Sequence, residues 1–173
     1  MSIDRFGVPD SVFGTHDEDF YSAIGRIAGL SALIEHQTFM IYQTMMNLPQ
    51  NADTQLGAGQ LIEKACKALA PVGEDENKKI LFQYFTDVET ALRKRNDYIH
   101  NLWPAQPGDQ FFGWRPNRDK ETRVDQPYLA TQTNMDEFKA SILTLVELVQ
   151  RRDRAYVSAC ALQELKLRVG AML

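Results

Sequence analysis

The chain has 173 residues, enough for one domain that buries roughly 70% of its unfolded surface. It is 44% hydrophobic and 24% charged, with a net charge of −4, as in a globular protein. The charge counts against a general nucleic-acid coat, which carries a basic excess, but leaves room for a small basic pocket on an acidic body. No apolar run approaches the roughly 20 residues that span a bilayer, so no membrane partner is expected.

The N-terminal MSIDRFGVPD has no basic region ahead of an apolar stretch; no secretory signal is expected, and the protein reads as cytoplasmic. Residues 1–14, with Gly7, Pro9 and Gly14, read as an irregular arm. Thr15 followed by Glu18 fits a capping box for a first helix over 17–47. Its apolar face is Phe20, Ile24, Ile27, Ser31, Ile34, Thr38, Ile41 and Met45. Such a helix is roughly 45 Å long at ~1.5 Å per residue. Gly25 and Gly29, one turn apart on it, suggest a close helix crossing. His36 reads as a surface or core-edge residue, and His16 as a solvated loop residue near the cap.

LPQNADT (48–54) is turn chemistry, and GQLIEKACKALA predicts a helix over 59–70 that Pro71 and Gly73 end. GEDEN places acids in the first turn of a third helix over 74–102, where the helix dipole favours them. Leu81, Phe85, Val88, Leu92, Arg95, Ile99 and Leu102 mark its repeat. Pro104, Pro107 and Gly108 then break the pattern, and 104–133 reads as a loop or hairpin excursion. Asn134 with Glu137 caps a last helix over 135–169, with Phe138, Ile142, Leu145, Val149 and Tyr156 on its apolar face. Short connections between such helices imply an all-α, antiparallel four- to five-helix bundle forming a single domain over 1–173.

Cys66 and Cys160 make no ligand cluster with the histidines and read as reduced core thiols; neither a metal site nor a cofactor is expected. The aromatic and basic residues of the excursion, Phe111, Phe112, Trp114, Arg115, Arg118, Lys120 and Arg123, are balanced by Asp109, Asp119, Glu121 and Asp125. They read as a surface hairpin, with an RNA-stacking face as the sharper alternative. The RRDR run at 151–154 reads as a solvated face or interface edge.

The most informative stretch is LRKRNDYIHNLWP, at the end of the third helix. Asn96, His100 and Trp103 fall on one helical face at steps of four and three, with Arg93 two turns before His100. Arg95 points about 140° away from His100 on an ideal helix, so the two meet only if the helix loosens before Pro104 or if two copies face each other. The same cations also suit an ordinary helix C-terminus, where the dipole favours them.

LRKRNDYIHNLW resembles the signature of HEPN-domain proteins: an arginine, a polar residue, and a histidine after four to six intervening positions. Arg95, Asn96 and His100 match it, near the end of a long helix as in that family. The resemblance implies a metal-independent endoribonuclease, typically a homodimer with its two motifs facing across the interface. Such proteins are often toxins or antiviral-defence effectors, restrained by an antitoxin or other regulatory partner. It would make His100 the general base or acid, Arg95 the phosphate clamp and Asn96 the residue that orients them. Arg93 and Trp103 are the secondary candidates for RNA or phosphate contact. Some family members carry a tyrosine two residues after the histidine that a partner modifies; Leu102 stands there, which sets that form of control in doubt.

The residue types suit the chemistry. An imidazole with an ordinary pKa near ~6.5 can take or give a proton near neutrality, and a guanidinium binds phosphate oxygens through two donors. The ribose 2′-hydroxyl is the nucleophile, so RNA is cut and DNA is not. The competing expectation is a non-catalytic helical module for dimerisation or partner binding, in which Arg95 pairs locally and His100 is buried or capping.

Overall fold

The computed structural model describes residues 14, 16–49, 56–106, 108–119, 121–122 and 124–170, with side chains through 164. Among these the chain is mostly helical, with one two-stranded sheet. In order come α1 (Glu18–Met46), α2 (Ala58–Leu69), α3 (Glu76–Ile99), β1 (Gln110–Pro116), β2 (Tyr128–Asn134) and α4 (Met135–Gly170). The helices fall where periodicity places them, except that α3 ends at Ile99 and not at 102, because Leu102 pairs with the hairpin. The excursion is a true antiparallel hairpin, so the chain is not strictly all-α.

Local chemistry sets the helix ends. Asp17 Oδ1 accepts the Phe20 N–H at 2.8 Å and caps α1. Thr15, the expected cap, lies outside the described residues, as do the arm before Gly14 and most of the 48–54 turn. At the other end Asn47 adopts φ 53. The Leu48 N–H reaches Gln43 O at 2.9 Å and the Asn47 N–H reaches Thr44 O at 3.1 Å, the paired bonds of a Schellman stop. Asp75 Oδ1 accepts from the N–H groups of Asn77 (2.8 Å) and Lys78 (3.3 Å) to start α3. Asn134 Oδ1 accepts the Glu137 N–H at 2.9 Å to start α4, as its sequence signal predicts.

Spatial contacts group the chain into two compact units. The first, Met1–Ala28 with Lys94–Leu143, contains the hairpin and an aromatic core. Phe138 is fully enclosed there, with the rings of Tyr98, Phe111 and Phe20 at 4.9, 5.6 and 5.8 Å. The second, Gly29–Arg93 with Thr144–Leu173, has a core dominated by aliphatics. Ile34, Ile41, Leu61, Ile62, Leu69, Leu81, Val88, Leu145 and Leu162 are buried in it.

Gly25 and Gly29 correct an expectation. Both are exposed, and a methyl group on either would meet nothing within 4 Å, so no close crossing requires them. No described helix is long and apolar enough to cross a membrane.

Candidate active site

Arg95 and Asn96 lie at the last turn of α3 and His100 directly follows its end, in the first unit. Tyr98 anchors that turn: its ring is 2% exposed and its hydroxyl accepts from Ser141 Oγ at 3.4 Å. The anchor decides which faces are left. Arg95 and Asn96 are half-buried and His100 is exposed. The His100 N–H still bonds Asn96 O at 3.2 Å, so helical geometry persists through the histidine. Asn96 and His100 therefore share a face one turn apart. The helix does not loosen before His100, and Arg95 remains about 140° round from it.

Cross-links hold the segment after the motif. The Trp103 indole N–H donates to Tyr98 O at 2.8 Å and satisfies a carbonyl of the last turn. Leu102 forms an extra rung on the hairpin: its N–H reaches Trp114 O at 2.9 Å and its carbonyl accepts from Trp114 N–H at 3.2 Å. From the opposite side, His16 Nε2 lies 2.8 Å from Trp103 O, and its ring stacks on Phe20 at 3.9 Å. His16 is thus a long-range clasp and not the solvated loop residue its GTHDED context suggests. Gly14, at φ +73, lies so close to Ala105 that a Cβ there would sit 2.6 Å from the alanine's own. Arg115 on β1 pairs with Asp97 at 2.7 Å, tying the hairpin to α3.

The secondary candidates have other work. Trp103 is 8% exposed, and its six-membered ring occupies the space a Cβ on Gly113 would need. Its N–H and ring face are both engaged within the fold, which leaves little of it open to a ligand. Arg93 is exposed and held by Glu89 at 2.6 Å, an i,i+4 pair on the helix surface. One residue that the sequence reading did not single out is Asn101, directly after His100. It is 8% exposed, with both amide atoms enclosed and without hydrogen-bond partners among the described residues. No periodic signal marks it, because it lies just past the end of α3.

Both cysteines are free and half-buried. Burial pushes the Cys66 thiol above its ordinary range, with the Glu89 charge adding to the rise, so it is a poor nucleophile. Among the described residues no group of histidines, cysteines and acids is arranged to hold a metal ion.

The site thus offers an exposed imidazole, a half-buried amide on the same face and a half-buried guanidinium on another. Comparison with protein-family models, with curated proteins and with solved structures gave no match to this chain.

Proposed function

We propose that this is a HEPN-like helical-bundle protein that cuts RNA without a metal, acting as a homodimer within the cytoplasm. His100 is the general acid–base, Arg95 the phosphate clamp and Asn96 the residue that orients the pair. The observation that carries the reading is the exposure of His100 at the end of a long, regular helix, with Asn96 one turn below on its face. An imidazole so placed can exchange a proton with an approaching ligand.

In the reaction the ribose 2′-oxygen attacks the adjacent phosphorus as its proton passes to a base. The bond to the 5′-oxygen breaks and that oxygen takes a proton. The products are a 2′,3′-cyclic phosphate and a 5′-hydroxyl end, with no redox change and no added reactant. Arg95 offsets charge on the phosphorane. Because Arg95 and His100 diverge within one helix, the arginine facing a given histidine comes from the second copy. A toxin- or defence-type role, with a restraining partner, fits an activity of this kind.

Incubation of purified protein with total RNA in EDTA tests the reading. Wild type should yield 2′,3′-cyclic phosphate ends, and His100→Ala should lose about 10²–10⁴-fold in rate with its helical content unchanged. Equal cleavage by both proteins would remove His100 from the mechanism.

The angular divergence of Arg95 and His100 also favours a second reading, a non-catalytic interaction module. Absence of cleavage by wild type, with or without a dimer in solution, would select it.

A further inference from the structure

The second unit contains a cleft of about 380 Å³, away from the motif in sequence and lined from two helices. Glu76, Lys79 and Ile80 line it from the first turns of α3, and Arg151, Arg154 and Ala155 from α4. Spacings of three and four from Glu76 on α3 and from Arg151 on α4 put these side chains on single faces. Lys79, Arg151 and Arg154 outweigh the one lining acid, Glu76.

The acids paired with these cations hold them unequally. Arg154 lies 3.8 Å from Glu76, with side chains 72% and 73% exposed. Lys79 lies 3.6 Å from Glu74, at 65% and 83%. Exposed pairs this long are weak, and an incoming dianion can displace them. Arg151 is different: it lines the cleft while Asp87 holds one of its five N–H donors at 2.7 Å. Arg152 turns elsewhere and lies over the Tyr156 ring at 4.8 Å. Of the RRDR run, Arg151, Asp153 and Arg154 are exposed and Arg152 is half-buried.

We propose that this cleft binds a phosphomonoester, its dianion held by Arg151, Arg154 and Lys79 and its organic part resting on Ile80 and Ala155. Two guanidinium forks and an ammonium match an anion with three acceptor oxygens, and Gln83, also in the lining, adds a neutral amide donor. A carboxylate would occupy one fork and leave the other cations unused. The cleft is larger than a bare anion and has room for an attached organic group. The ligand is a free nucleotide or the 5′-phosphate end of an RNA, which present the same chemistry. The inference does not depend on the RNA-cleavage reading.

Calorimetric titration of the whole protein at constant ionic strength tests it. The probes are adenosine 5′-monophosphate, adenosine, and one short RNA with either a 5′-phosphate or a 5′-hydroxyl end. Saturable binding of the monophosphate or the 5′-phosphorylated RNA, but not of its unphosphorylated counterpart, is expected; whichever binds identifies the source. Arg154→Gln and Lys79→Gln should each weaken that binding about tenfold, whereas Lys139→Gln, an exposed cation of the first unit, should leave it unchanged. Equal binding of phosphorylated and unphosphorylated probes, no saturable binding of any probe, or an equal loss in Lys139→Gln would overturn the proposal.

Discussion

Asn101 follows the exposed His100, yet its amide is enclosed with neither its donor nor its acceptor satisfied. A buried polar group in that state costs about 1–3 kcal/mol relative to one that is bonded. Replacement by an apolar residue of similar size removes the cost and keeps the contacts. Asn101→Leu should therefore raise the stability of the protein by about 1–3 kcal/mol in urea denaturation, with an unchanged m-value. A loss of stability would mean that the amide has partners in solution. The neighbouring Trp103 makes the complementary point. A tryptophan on the face of a candidate histidine reads as a ligand contact until the Tyr98 carbonyl and Gly113 are known to claim it. Residue type was visible in the sequence; the competing partner, ten positions away across a hairpin, was not.

At the scale of elements, glycines in similar-looking places have opposite meanings. Gly25 and Gly29 sit on the open side of α1, where a methyl group meets nothing. Each contributes only excess freedom to the unfolded chain, so alanine at either should stabilise by about 0.5–1 kcal/mol. Gly113 in β1 is the reverse, since a Cβ there would lie 2.7 Å from the Trp103 ring. Gly113→Ala should cost about 1–3 kcal/mol and shift the tryptophan emission as the indole is displaced. Thermal melts of the three variants check the contrast; a neutral Gly113→Ala would show that the ring has room to move. The elements themselves were largely readable. Phe20, Ile27, Ile34, Ile41 and Met45 repeat at helical spacing and are all buried, and Asn134 caps where its pattern says. Ile24 yields its place to Ala23, and the face of α3 swings to Tyr98 where heptad spacing pointed to Arg95 and Ile99. A repeat fixes a direction to within a residue; what lies opposite decides the rest.

At the scale of the whole chain, a predominantly helical architecture was legible because periodicity and punctuation are local, while the excursion stayed open between loop and hairpin. The aromatic core of the first unit was not, since it gathers Phe20, Tyr98, Phe111 and Phe138 from separate segments. Nor was the cleft of the second unit, whose cations lie on α3 and α4. The candidate site was half legible: Asn96 and His100 follow from helical spacing, while the pairing of Arg95 with His100 does not, because the two diverge on that helix. The buried groups of the second unit also set a pH dependence. Burial, then the Glu89 charge, raises the Cys66 thiol. Burial raises the Tyr84 phenol more than its contact with Thr38 and the charges of Arg152 and Arg151 lower it. Both groups are neutral when protonated, and the folded state holds these protons more tightly than the unfolded chain. Their contribution is full below the ordinary thiol value near ~8.5 and is lost as pH rises through the elevated folded values. Urea midpoints should therefore be level in this respect up to about pH 8 and fall above it, first through Cys66 and then, beyond about pH 10, through Tyr84. Cys66→Ala should flatten the first part of the decline and Tyr84→Phe the second. If the slope between about pH 8.5 and 10 survives in Cys66→Ala, the thiol is not its source.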